Sequence, residues 1–88
     1  MSYRLNFMKK AQKQIDEHKK SGNKALLSKL ATILHELTEH PFTGTGKPEQ
    51  LKYELTGNWS RRINKEHRLV YEVFDNIVLI HSAKGHYD

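Results

Sequence analysis

The chain opens with alternating apolar and polar residues at Tyr3-Arg4-Leu5-Asn6-Phe7, a pattern that predicts a short strand. The period then changes. Met8, Ala11 and Ile15 recur at helical spacing among Lys, Gln and acidic residues, predicting a helix over residues 8–20. Ser21-Gly22-Asn23 ends that helix and can cap the next. From Lys24 to Glu39, the residues Leu26, Leu30, Ile33, Leu34 and Leu37 form one apolar stripe, with Leu27 at its margin. The turn between the two helices is short enough to predict an antiparallel helical hairpin. Pro41 stops the second helix, and "PFTGTGKPEQ" reads as a loop.

Strand candidates follow at 51–55, 58–64 and 67–73, with a further one at 77–83. Turn signals at Thr56-Gly57, Asn64-Lys65-Glu66 and Asp75-Asn76 separate them. The order β-α-α-β-β-β, extended by the last strand, predicts an α+β fold with two helices on one face of a mainly antiparallel twisted sheet. A chain of 88 residues has room for one such domain, residues 1–88, and any active site on it is expected to be a surface groove.

The segment "WSRRINKEHRLVYEV" tests the register of that sheet. A two-residue loop at Lys65-Glu66 pairs Arg62 with Leu69 and mixes polarity on both faces. A three-residue loop, Asn64 to Glu66, pairs Arg62 with Arg68, Trp59 with Tyr71 and Ile63 with His67. Trp59, Ile63, Leu69, Tyr71 and Val73 then face the helices, and Ser60, Arg62 and Arg68 face away. Arg61 and Val70 fit this sorting imperfectly. A slip of one residue would exchange the faces, so the sorted register is expected. It sets two arginines directly opposite, a repulsion of about 0.2–1 kcal/mol that a phosphate between them would reverse.

Charge sharpens this reading. Fifteen Lys/Arg against ten Asp/Glu give a net +5, which favours a polyanionic partner. Residues 47–68 hold six cations and three anions, and half of those cations are arginines in strand context: Arg61, Arg62 and Arg68. The planar guanidinium fork matches phosphate oxygens better than an ammonium does. Without cysteine there is no disulfide, thiol nucleophile or thiolate metal site. The longest apolar run, Ile77-Val78-Leu79-Ile80, is far short of the ~20 residues that span a bilayer. No signal-peptide core opens the chain, and a cytoplasmic location is expected.

Two motif resemblances fail on spacing. "GTGKP" lacks both the earlier glycine and the following Ser/Thr of a nucleotide phosphate loop. In "HELTEH", His35 and His40 lie about 140° apart around a helix and cannot share a metal, and Glu36 and Glu39 read as solvated charges. Other groups suit metal-free RNA cleavage. Glu49 leads into the strand beside the arginine hairpin, with Lys52 nearby, and His86 and Tyr87 follow the last strand. A carboxylate, an imidazole and a guanidinium can withdraw a proton from a ribose 2′-hydroxyl, protonate the departing 5′-oxygen and stabilise charge on phosphorus.

The stretch "PFTGTGKPEQLKYELTGNWSRRINKEHRLVYEV", followed by "HYD", resembles the YoeB-type (Txe) branch of the RelE superfamily of bacterial toxin–antitoxin ribonucleases. The resemblance is dense over residues 41–73 and includes the terminal His-Tyr. It implies a toxin that cuts mRNA in the ribosomal A site without a cofactor and halts translation. By that resemblance Glu49 is the general base, Arg68 the transition-state clamp and His86 the general acid, with Tyr87 stacking or positioning. Arg62 and, more weakly, Lys52 support phosphate binding, and Arg61 is grouped with them. The implied partners are the ribosome, mRNA, a YefM/Axe-like antitoxin with an acidic segment that covers the basic groove, and a second copy in a dimer. Two other readings remain open: a basic module that blocks the ribosome without cutting, and a gyrase inhibitor of the same architecture.

Overall fold

The computed structural model of the chain describes residues 2–52 and 55–85. β1 (Arg4–Phe7) leads into α1 (Lys9–Ser21) and α2 (Lys24–Leu37), and β2 (Glu49–Gln50), β3 (Asn58–Arg62), β4 (Arg68–Phe74) and β5 (Ile77–Ser82) follow. The strands form one sheet in the order β1-β5-β4-β3-β2. β1 runs parallel to β5, and every other pairing is antiparallel. This is the α+β arrangement expected from the pattern, with the first strand closing beside the last.

The helix boundaries follow from local chemistry. Gly22 adopts a left-handed φ of 72° and its N–H bonds back to the Lys19 carbonyl, ending α1. Asn23 then caps α2 by accepting from the Leu26 amide at 3.1 Å. α2 ends at Leu37, two residues before the predicted limit, because Thr38 caps it and forms a turn with Glu39.

Leu26, Leu30, Ile33 and Leu37 of α2 bury the predicted stripe, joined by Ala11 and Ile15 of α1. They pack on Ile63, Leu69, Tyr71, Val78, Ile80 and Ala83. Burying each large aliphatic side chain contributes roughly 1.5–3 kcal/mol, so this layer fixes which face of the sheet remains for other work. Among the described residues, no helix is long and apolar enough to cross a membrane.

The strand predicted at 51–55 is displaced. Pairing with β3 occurs instead at Glu49–Gln50, and Leu51, whose amide bonds to the Asn58 carbonyl, is buried. Residues 53 and 54 lie outside the described residues, and Leu55 belongs to a tight turn whose amide bonds to the Lys52 carbonyl. A two-residue edge strand also leaves little exposed ladder for unwanted pairing.

Candidate active site

The hairpin of β3 and β4 has the three-residue loop. Trp59 pairs with Tyr71 and Arg62 with Arg68, and the Ile63 amide reaches the His67 carbonyl at 3.0 Å. Asn64 locks this register, its Oδ1 accepting from the Glu66 and His67 amides at 2.8 Å each. Strand alternation then directs Ser60, Arg62, Arg68 and Val70 away from the helices.

On that face Arg68 Nη1 donates to Ser60 Oγ at 3.2 Å, and Ser60 sits directly opposite Glu49. Ser60, fully buried, thus bonds the candidate clamp and occupies the strand position opposite the candidate base. Arg62, paired opposite Arg68, is exposed, and so is Lys52 just beyond β2. Asn58 and Val70, which flank Ser60 along and across the sheet, help line a pocket of about 300 Å³ with Ser82, Lys84, Gly85 and Lys10. A β-bulge at Val70/Tyr71 leaves His81 as the extra residue of β5, and His81 Nε2 pairs with Glu72 Oε1 at 2.8 Å. Such bulges bend a strand end and often lie beside active sites.

Arg61 does not join this face. Its alternation places it with Trp59 and Ile63 on the helix side, where it is fully buried. Nη1 donates to Glu36 Oε1 at 2.7 Å, Nη2 to the His40 and Thr43 carbonyls at 2.8 and 2.6 Å, and Nε to the Tyr71 hydroxyl at 3.2 Å. The grouping of Arg61 with the phosphate-binding cations is therefore corrected: its donors are committed internally. Glu36 is corrected with it, being an ion-pair partner rather than a solvated charge. Burial raises the carboxyl's pKa, but the Thr45 hydroxyl and amide and then Arg61 outweigh that, so Glu36 lies below its ordinary range. Burial pushes the Tyr71 phenol up, against the pull of Arg61. The phenol stays protonated and donates to the Pro41 carbonyl at 2.7 Å.

This network shapes the loop that leads to Glu49. Arg61 and Tyr71 hold the carbonyls of residues 40, 41 and 43, and Phe42 packs on Trp59 with ring centroids 5.0 Å apart. Gly46, at φ 85°, lies so close to β3 that its carbonyl accepts from the Arg62 amide at 2.7 Å. The two histidines of "HELTEH" have other roles: His35 pairs with Glu39 at 3.3 Å, and His40 Nδ1 meets the Thr43 carbonyl.

The C-terminal candidates His86 and Tyr87 lie outside the described residues. The segment before them is well anchored. The Gly85 carbonyl accepts from the Arg68 amide at 3.0 Å, and the Gly85 amide donates to His67 Nδ1 at 2.9 Å. α1 holds the same segment through Gln14, Glu17 and His18. Ser60, His67 and the three α1 residues escaped the sequence reading. His18 left a signal, because it continues the buried stripe of Ala11 and Ile15 as a polar residue.

A sequence-family profile described as "YoeB-like toxin of bacterial type II toxin-antitoxin system" matches residues 7–87. The chain is 48% identical over 66 residues to Toxin YoeB of Synechocystis sp., covering 75% of this chain and 77% of that protein. Toxin YoeB of Escherichia coli K12 is 46% identical over 65 residues, covering 74% and 77%. Among solved structures, a YoeB/ParE toxin from Agrobacterium tumefaciens superposes with a TM-score of 0.89 at 29% identity, covering 96% of this chain and 99% of the other. A YoeB dimer from Staphylococcus aureus gives 0.82 at 39% identity, covering 99% and 100%. A heterotetrameric YoeB–YefM toxin–antitoxin complex from the same organism gives 0.80 at 39% identity, with the same coverage.

Proposed function

Because the chain belongs to the YoeB-like toxins of bacterial type II toxin–antitoxin systems, we propose that it is a cytoplasmic, ribosome-dependent endoribonuclease that cuts mRNA and arrests translation. The observation that carries this reading is the meeting of Glu49, Ser60 and Arg68 on one sheet face, with the chain at Gly85 fastened to the Arg68 backbone. An RNA-binding surface needs cations. It does not need a carboxylate opposite them.

In the proposed reaction Glu49 takes the proton from the ribose 2′-hydroxyl, and the freed oxygen attacks the adjacent phosphorus. The bond from phosphorus to the 5′-oxygen breaks, and His86 supplies the proton that the departing oxygen needs. The products are a 2′,3′-cyclic phosphate and a 5′-hydroxyl. Arg68 stabilises the charge that develops on the phosphoryl oxygens, held in place by Ser60. Arg62 and Lys52 steer and seat the RNA backbone, and Tyr87 stacks on a base.

The YoeB–YefM complexes of Staphylococcus aureus support a YefM-like antitoxin as the partner, and the YoeB dimer supports self-association. An acidic antitoxin segment that folds across Arg62 and Arg68 would occlude the site directly. Primer extension on mRNA in a translating extract tests the enzymatic reading. A discrete cut made by the wild type and lost in Arg68→Ala and His86→Gln supports it. Arrest with intact mRNA would mark a ribosome blocker, and gyrase-linked DNA damage a gyrase inhibitor.

A further inference from the structure

The segment 83–85, which connects β5 to the proposed acid, is clasped at both of its ends. Gln14 Oε1 accepts from the Ala83 amide at 2.7 Å, and His18 Nε2 meets the Ala83 carbonyl at 2.7 Å. Lys84 Nζ reaches Glu17 Oε1 at 3.1 Å. His67 Nδ1 accepts from the Gly85 amide, and the Arg68 amide donates to the Gly85 carbonyl. Gln14, Glu17 and His18 stand at helical spacing on one side of α1, so a single helix face and a single hairpin grip the tail between them.

Two of these contacts dictate protonation. A carbonyl only accepts, so His18 must carry its proton on Nε2. An amide N–H only donates, so His67 must leave Nδ1 bare and is neutral in this arrangement. A proton on His67 Nδ1 would set donor against donor at the last hydrogen bond before His86. Among the described residues, the charged and titratable groups close to His67 are His18 of α1, whose ring meets it edge-on at 4.8 Å between centroids, Lys65, Glu66 and Arg68 in its own hairpin, and Lys84 of the tail, held by Glu17.

We propose that His67 is a positioning residue that holds the catalytic tail against Arg68 only while its imidazole is neutral. The inference rests on the reading above that His86 is the acid. Protonation of His67 then detaches Gly85 from the hairpin, and cleavage falls on the acid side through the loss of that contact.

The test follows the Gly85 amide by NMR hydrogen exchange in the free, full-length toxin, from about pH 8 to about pH 5, where an imidazole titrates. After correction for the intrinsic exchange rate, protection of Gly85 should fall on the order of tenfold as His67 protonates, while amides of β4 stay protected. His67→Asn, whose Oδ1 can stand at the Nδ1 position and cannot be protonated there, should keep Gly85 protected across the range. His67→Leu should lose that protection at every pH. In mRNA cleavage on ribosomes, His67→Asn should retain neutral-pH activity and shift the acid limb downward, and His67→Leu should be impaired throughout. Unchanged Gly85 protection in His67→Leu, or a wild-type acid loss in His67→Asn, overturns the proposal. The exchange experiment uses no RNA, so a clasp that behaves as described in a protein that does not cleave would overturn the enzymatic reading instead.

Discussion

Arg61 Nη1 donates to Glu36 Oε1 at 2.7 Å, joining β3 to a helix residue 25 positions earlier in the chain. Arg61 is fully buried, whereas its neighbour Arg62 is exposed on the opposite face. Identical side chains in adjacent positions thus have different surroundings, one organising the loop toward Glu49 and the other open to solvent on the opposite face. Truncating Arg61 removes the cation paired with Glu36 and the donors to the His40, Thr43 and Thr45 carbonyls, and breaking a buried pair from one side costs about 3–5 kcal/mol. Arg61→Ala should therefore lower stability to urea by about 3 kcal/mol, the low end of that range, because Glu36 keeps some solvent contact. Arg62→Ala should change stability by less than about 0.5 kcal/mol and weaken cleavage. Equal stability losses in the two variants would rule out the division of labour.

Glu36 gives the same network a pH dependence. Burial raises its pKa, but Thr45 and Arg61 outweigh that and hold the folded-state value below the ordinary one for a glutamate. A depressed carboxylate contributes stability that is fully present above the unfolded pKa and is lost as pH falls through the folded one. Unfolding free energy should accordingly decline from just above the ordinary carboxylate range downward, and Glu36→Gln should flatten that decline while lowering stability at neutral pH. Urea titrations at a series of pH values would show it. A Glu36→Gln protein with the wild-type acid slope would assign the slope to other carboxylates.

Gly46 is the point where the loop touches β3. Its φ of 85° suits glycine, and a Cβ there would lie 2.6 Å from the Arg62 carbonyl oxygen. That oxygen belongs to the strand backbone and cannot swing aside. Gly46→Ala should cost roughly 1–3 kcal/mol and impair cleavage by moving Arg62. Gly22 also has a positive φ, 72°, but a Cβ added there would meet no atom within 4 Å. Gly22→Ala should thus show the conformational cost alone, without loss of cleavage per folded molecule. Circular-dichroism melts paired with primer extension separate the two effects.

Much of this architecture was legible because it depends on periodicity. The α2 stripe, the Gly22-Asn23 boundary and the Arg62–Arg68 register follow from spacing and turn chemistry within short windows. Arg61 was harder. Alternation alone places it with Trp59 and Ile63, but nothing local shows that Glu36 waits on a helix to neutralise it. β2 is too short to leave a periodic pattern, so it was displaced into the more apolar residues that follow. Glu49 and Arg68 were recognisable as residues, yet their common position beside Ser60 needs the pairing of three strands. The partners of His18 and His67 are backbone groups of Ala83 and Gly85, and a backbone carbonyl or amide carries no sequence signal.

Ser60 offers the most direct test of the site itself. It is buried, so Ser60→Ala removes one hydroxyl without opening a large cavity, and the sheet pairing of β3 is backbone-mediated. What is lost is the acceptor for Arg68 Nη1, on the strand position opposite Glu49. A hydrogen bond to a charged group is worth about 1.5–3 kcal/mol, or roughly 10- to 100-fold in rate if all of it is expressed in the transition state. Cleavage by Ser60→Ala should fall by at least about tenfold. If Ser60 acts through Arg68, the double variant with Arg68→Ala should be little worse than Arg68→Ala alone, because residues in one network are not additive. Multiplicative losses would mean that Ser60 serves Glu49 or the RNA independently, and that the clamp is held by other contacts.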